Sequence, residues 1–497
     1  MRQLSILLVL LCALPAALHA ATRVGFASGL WTNAAIWQDA TVPLAGDDVT
    51  INSGVSITAD VSTASLNGFT NNGTLTFAGW STILSAAVVR VNGTLTHLPQ
   101  SDTTGTIGVY GDWAPDNRVY IVCSNLTVVA GKSINANAKG YLGGTNWYAD
   151  GYGPGGGKYP GARGMGGGYG GRGGLTDGVG GQPYGSATAP EDPGSGGSAR
   201  GVNDGPGGPG GGAIKIVAGG LVQVDGSLTA NGGAPPSNGF NGHGSGGGIF
   251  IACAALAGGG LIAANGDVSA NAAGSGGGGR LAVAYDPLAQ SNQNLSAKPT
   301  ITFAASDGAS QRTDIRSMPG TVWLTDTSFF PPASGALFSG QYVIPGFTNW
   351  SPANLSVTGY TAVLTGVTVV VTNNLTLSGY GGLIVSNGSL QVGGDVTLDS
   401  SDTFGHCCLR FHAGPGADLT VASNVTIKQS IFYYHSDLTN PTTLNIGGDL
   451  SLQNLRAKLY VYSAATSSVP PDYGALVAVS GKVSVAPGWI YPVSHAT

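Results

Sequence analysis

The chain is 497 residues long, carries 20 Lys+Arg against 25 Asp+Glu, and has a formal net charge of −5 at pH 7. A charge so weak for this length argues against a dedicated nucleic-acid binder, which would be basic. Only 9% of residues are charged, 84 are Gly, and Glu191 is the sole glutamate, so the residues that fill exposed helix faces are scarce.

The first twenty residues, "MRQLSILLVLLCALPAALHA", pair one cation with a short apolar run and small residues near Ala20. This is the pattern of a secretory signal peptide (1–20) cut near Ala20 or Ala21. The run is short for a bilayer and contains Pro15, and no later segment reaches eighteen uninterrupted apolar residues, so no membrane span is expected in the mature chain. The expected location is extracellular or at the cell surface. Removal of Cys12 leaves Cys123, Cys253, Cys407 and Cys408, too few for a disulfide scaffold.

Residues 21–115 are rich in Thr, Val, Asn and Gly and form a β-rich segment. It opens with "GLWTNAAIWQDATVPLAGDDVTINSGVSITAD", Gly29 to Asp60. Two tryptophans, then Val-Pro, then Gly-Asp-Asp-Val and an alternating strand resemble the start of the eight-glycine domain. That domain occurs in large extracellular proteins of the polyductin type and in bacterial surface proteins, often beside parallel β-helices.

Residues 116–290 contain a repeat. "VYIVCSNLTVVAGKSINANAKG", "IKIVAGGLVQVDGSLTANGGA" and "IFIACAALAGGGLIAANGDVSANAAG" begin at Val119, Ile214 and Ile249, and "LAVAY" at Leu281 opens a fourth. Each contains a short alternating strand, a second strand ending in a turn, and a third ending in Ala-Asn or a close variant. Self-similarity at this length means stacked supersecondary units. Three short strands without room for a helix predict one coil of an all-β, right-handed parallel β-helix, coils stacking about 4.8 Å apart. Alternation places Ile214, Ile216, Ile249, Ile251, Leu281 and Val283 inside and Lys215 outside. The turns align as Ala130-Gly131, Asp225-Gly226 and Asn265-Gly266, and Asn137, Asn231 and Asn271 are expected to stack as a corner ladder.

The glycine tracts all fall between the third strand of one coil and the first strand of the next. They read as long insertions at one corner, the longest from about Ala138 to Gly212. There, 28 of the 62 residues from Gly151 are Gly, which allows positive-φ paths and close packing of loop on loop. The array resembles secreted Gly-rich parallel β-helix surface proteins of environmental bacteria, with a pectin-lyase-like solenoid. That resemblance implies structure and transfers no catalytic residue.

Residues 291–350 show no clear repeat and read as a bridge or an irregular coil. In residues 351–497 a second array recurs: Leu375, Val396, Val425, Leu450 and Val483 lie at coil-length spacings. The array is expected to continue past Thr497.

Several motifs point to chemistry. "GYGPGG" at Gly151 lacks the strand and helix of a dinucleotide loop, and the glycine tracts lack the regular Asp of a calcium-binding array. Asn72, Asn92, Asn125, Asn294, Asn354, Asn374, Asn387 and Asn424 are glycosylation sequons that serve equally as turn residues. Cys123 and Cys253 share a register two coils apart, about 9.6 Å by coil spacing, so two buried thiols and no bridge are expected. In "FGHCCLRFHAG", alternation places His406, Cys408, Arg410 and His412 on one face, and one coil brings His435 beside His412. Histidines with a thiol are metal-ligand chemistry, yet the plain reading is an outward polar face, and no metal or other cofactor is expected. Asp47 and Asp48 point to opposite faces and cannot pair as acid and base. Asp395, Asp418 and Asp449 suit turns.

The functional expectation is a secreted, non-catalytic structural or adhesive solenoid. Trp147, Tyr148, Tyr152, Tyr159 and Tyr169 of the glycine-rich loops are the candidate stacking platforms for a polysaccharide or cell-surface glycan. The alternative is a polysaccharide lyase or hydrolase, or a glycan-binding module, on the same scaffold. A cluster of three or more charged residues in one surface cleft would mark the enzyme.

Overall fold

A computed structural model describes residues 21–494, except 146–147, 160–162, 175–179, 202–204, 238, 270–272, 309–316, 331–338, 401–407, 416, 437–441 and 464–474. The signal segment 1–20, Asn271, Trp147, His406 and Cys407 lie outside the described residues.

Alternation sets the architecture. In Val119–Val128, residues Val119, Ile121 and Cys123 point inward while Tyr120 and Val122 stay half-buried. The same period recurs in Ala213–Ala218, Gly248–Cys253 and Arg280–Tyr285. These strands pair in parallel and in register: Val119 with Ile214, Ile214 with Ile249, Ile249 with Leu281. The result is an all-β parallel β-helix with three strands per coil. One sheet of 18 described strands runs its length, an eight-stranded sheet completes the amino-terminal coils, and two six-stranded sheets complete the carboxy-terminal ones. The interior is a single column of aliphatic residues with scattered aromatics. Each buried Val, Leu or Ile contributes about 1.5–3 kcal/mol.

The second array follows its spacing. Leu355, Leu375, Val396, Val425, Leu450 and Val483 stack in one ladder. Between the arrays, Thr302–Ala304 and Thr321–Leu324 pair with strands of the preceding coil, and Gly340–Val343 carries the long sheet onward to Thr361–Thr365. Sequence reasoning missed one helix, Pro287–Ser296, which Asp286 caps through its side chain onto the Ala289 N–H.

Corners are held by side-chain oxygens that accept backbone N–H groups of the next coil. Asn137 accepts from Asn231, Asn231 from Asn265, and Asn265 from Ser306, each at 2.8 Å. The third described rung is therefore Asn265. In that coil the turn is Gly258 to Gly260, with Gly258 at φ +110°, and Leu261–Ala263 is the third strand. The carboxy-terminal array repeats the device through Asn354, Asn374, Asp395, Asn424 and Asp449, the last accepting from Lys482. Asp395 and Asp449 thus serve turns, as do three of the sequon asparagines. Asp47 is buried against Arg23, while Asp48 accepts from the Asn67 amide.

The glycine tracts are a second packed body. From Gly140 to Gly212 only Gly153, Gly185 and Gly205 of the described glycines have positive φ, so left-handed turns do not explain the composition. Close approach does. A Cβ on Gly166 would sit 1.8 Å from the Ser275 carbonyl, one on Gly143 2.0 Å from that of Gly207, and one on Gly196 2.0 Å from that of Leu142. The segments bond to one another through their backbones: Gly194 N–H to Gly211, Gly167 N–H to the His243 carbonyl, Gly277 N–H to Gly167. Extended glycine chains satisfy their polar groups sideways, as in assemblies where only Gly fits.

His97 sits where the longest glycine tract rejoins the solenoid, against Gly212. Its Nε2 accepts the Ala213 N–H and its Nδ1 donates to the Leu98 carbonyl. Burial pushes its pKa down to about 4.

Two predictions follow from packing. Gly166→Ala is expected to destabilise the chain by about 2–3 kcal/mol, because only backbone surrounds the new methyl. Gly219→Ala, which meets nothing within 4 Å at a non-positive φ, is expected to be near neutral in the same urea titration. The His97 contribution is full above the unfolded pKa of about 6.5 and is lost as pH falls towards 4. The loss reaches about 3 kcal/mol by the linkage constant and is read as a lower urea midpoint at pH 4 than at pH 7. His97→Gln should flatten that dependence.

Candidate functional site

The glycine body carries an aromatic and cationic patch. Tyr148 is 58% exposed and holds φ +56°, a left-handed conformation that costs a non-Gly residue free energy and directs its ring. It stacks on Tyr159, centroids 4.9 Å apart and planes 29° apart. The Tyr159 N–H donates to Asp150 Oδ1 at 2.6 Å. Burial and the neighbouring Tyr148 raise the Tyr159 hydroxyl pKa, and Arg200 pulls the other way. Arg200 and Arg163 both lie over the Phe240 ring, at 4.6 and 5.5 Å.

The other platform candidates separate. Tyr152 is half-buried, shares a hydrogen bond with Thr145 and meets Trp113 edge-on. Tyr169 is 0% exposed, packed on Tyr184 with Arg280 over its ring. Its phenol packs the glycine body against the sheet and offers no face to a ligand, which corrects the expectation for that residue.

The outer face of the long sheet carries aromatic columns in the carboxy-terminal coils. His412 pairs with His435 and His435 with Tyr462, and their rings stack at 4.2 Å in each step. The neighbouring column runs Arg410, Tyr433, Tyr460, Tyr491, the guanidinium 4.7 Å from the first ring. Burial, then the Arg410 charge, lower the His412 pKa to about 4. The ring faces are taken by one another, so the columns present edges. Parallel stacked imidazoles aim their in-plane lone pairs side by side, whereas a metal ion needs donors that converge on one point about 2 Å from each. Cys408 shares the outward register but is 1% exposed, which removes the expected thiol from the solvent face. Among the described residues no three His, Cys, Asp or Glu side chains come together.

A third group lies farther up the same sheet, at strands Val119–Val128 and Ala213–Ala218. Glu191, on a loop of the glycine body, bonds both Arg118 and Lys215. Beside it Asp192, whose pKa burial raises, accepts from the Tyr110 hydroxyl. Sequence reasoning missed this group because 73 residues separate Arg118 from Glu191.

Residues 36–134 match the G8 domain, covering the coils that precede the longest glycine tract. G8 domains occur in extracellular proteins. No curated protein and no solved structure matches the chain. No helix among the described residues is long and apolar enough to cross a membrane.

Cys123 and Cys253 are free, with burial raising their pKa values to about 11 and about 12. A disulfide-exchange thiol reagent at pH 8 should therefore modify neither in the native chain, and both in urea. Fast native labelling of either would contradict the packed coil.

Proposed function

We infer that the chain is a secreted, non-catalytic adhesive solenoid that binds polysaccharide through the aromatic patch of its glycine body. The observation that carries this reading is Tyr148, an exposed ring in a strained backbone conformation, braced from behind by Tyr159. A sugar ring stacks on such a platform through its apolar face, while the adjacent Arg200 and Arg163 supply donors to hydroxyls. The secretory amino-terminal pattern and the G8 match fit an extracellular surface or matrix setting. The long in-register scaffold suits repeated weak contacts.

A polysaccharide lyase or hydrolase on the same scaffold is the second reading. The charged group Arg118, Glu191, Lys215 and Asp192 favours it. Against it, each Glu191 oxygen already bonds a cation, at 2.9 and 2.6 Å, and those hydrogen bonds lower its pKa, which makes it a weak base.

Affinity electrophoresis in gels containing neutral polysaccharides tests the first reading. Tyr148→Ala is expected to weaken retention about tenfold, the worth of one aromatic contact. Absence of retention by the wild-type chain on every polysaccharide tried would contradict the reading. Turnover of any of them would replace it with the second.

A further inference from the structure

Two cations stand on the outer face of the long sheet: Arg118, just before strand Val119–Val128, and Lys215 within Ala213–Ala218. Both converge on one carboxylate. Arg118 Nη1 lies 2.9 Å from Glu191 Oε2, and Lys215 Nζ lies 2.6 Å from Glu191 Oε1. Every other acid in the chain is aspartate, so the longer side chain is used only here.

The cations do not rely on Glu191 for their positions. Arg118 Nε donates to the Trp80 carbonyl at 2.7 Å. Its guanidinium also lies over two rings, 4.4 Å from Trp80 and 4.6 Å from Tyr120. Lys215 Nζ stands 5.0 Å from the Tyr120 centroid. Rings and a carbonyl would hold both groups after Glu191 swings away. The Glu191 side chain is 37% exposed, against 8% for Arg118 and 18% for Lys215, so the carboxylate is the member that a ligand reaches first. Burial pushes its carboxyl pKa up, but hydrogen bonds from Lys215 and Arg118 outweigh this, and Glu191 stays ionised at neutral pH.

We propose that Arg118, Lys215, Trp80 and Tyr120 form a recognition site for a carboxylate-bearing sugar, a uronic acid unit of a polysaccharide, and that Glu191 occupies it as an internal competitor. Two converging cations match a carboxylate in charge. The half-buried rings beside them supply the apolar surface that a pyranose uses and an acidic peptide does not need. Tethered on its own loop, Glu191 competes at high effective concentration, so an incoming sugar must displace it. The proposal rests on the glycan-binding reading above, but the residues are different ones.

Glu191→Gln removes the competing charge and keeps the shape. In gels containing polygalacturonate it is expected to be retained about tenfold more strongly than wild type, since two ion pairs are lost from the competition. The gain should vanish when Lys215→Met is added and should fall steeply with salt. Unchanged retention of a folded Glu191→Gln chain would overturn the proposal. If that variant fails to fold, Glu191→Asp, too short to reach both cations, should show the gain, and its failure to do so would overturn the proposal equally. A galactomannan gel run in parallel reports on the Tyr148 platform alone, so failure of that platform is read separately. A competing polyaspartate that strips Glu191→Gln from the gel as well as free galacturonate oligomers do would overturn the sugar assignment.

Discussion

Backbone-to-backbone contact without side chains is the constraint on which the amino-terminal two thirds of this molecule depends. Parallel coils place every third-strand end at one corner, directly above its predecessor, so the insertions leaving that corner are forced into neighbouring paths. A chain with ordinary side chains could not fill such a space. Added Cβ atoms at Gly143, Gly166, Gly196 and Gly242 would lie about 2 Å from carbonyl oxygens or carbons of the adjoining segment. Glycine removes that obstacle, and the amides then satisfy each other across segments. The composition, 84 Gly with few charges, reflects a second interior built from peptide groups beside the aliphatic one.

Both interiors need the coils to hold register, and the corner ladders supply it. An Asn or Asp oxygen that accepts the next coil's N–H penalises a one-residue slip twice, by an unpaired amide and by turning aliphatic residues outward. The amino-terminal ladder through Asn137, Asn231 and Asn265 and the carboxy-terminal one through Asn374, Asp395, Asn424 and Asp449 use the same chemistry. The two arrays are thus one architecture with different loop lengths.

Much of the fold was legible because alternation and spacing are one-dimensional signals. The stacking of Ile214, Ile249 and Leu281, the ladder from Leu375 to Val483 and the meeting of His412 with His435 could all be read from period and coil length. The errors have local causes. Asn265-Gly266 imitates a strand-ending turn, but Gly258 to Gly260 had already made it, so Asn265 serves as a ladder rung instead. Tyr169 sits among exposed-looking glycines that are in fact buried, so composition misjudged its surroundings. Cys408 kept its register but lost its exposure, which alternation alone does not report. The Pro287–Ser296 helix carried an Asp-Pro start signal inside a chain whose composition pointed away from helices. The contact of Arg118 and Lys215 with Glu191 depends on where a glycine-borne loop lands, and no spacing encodes that.

The groups of the two proposed sites sit where the two bodies present outward surface: the Tyr148 patch on the glycine body, and the sheet face onto which that body lowers Glu191. Both depend on the glycine tracts being a fixed, hydrogen-bonded structure. Amide hydrogen exchange followed by mass spectrometry tests this most directly. Peptides covering Gly164 to Gly174, Gly194 to Arg200 and Gly207 to Gly212 should exchange as slowly as those covering strand Val119–Val128, because their backbones are mostly buried and hydrogen-bonded. Exchange of those peptides at the rate of an unstructured chain, while the strand stays protected, would contradict the account.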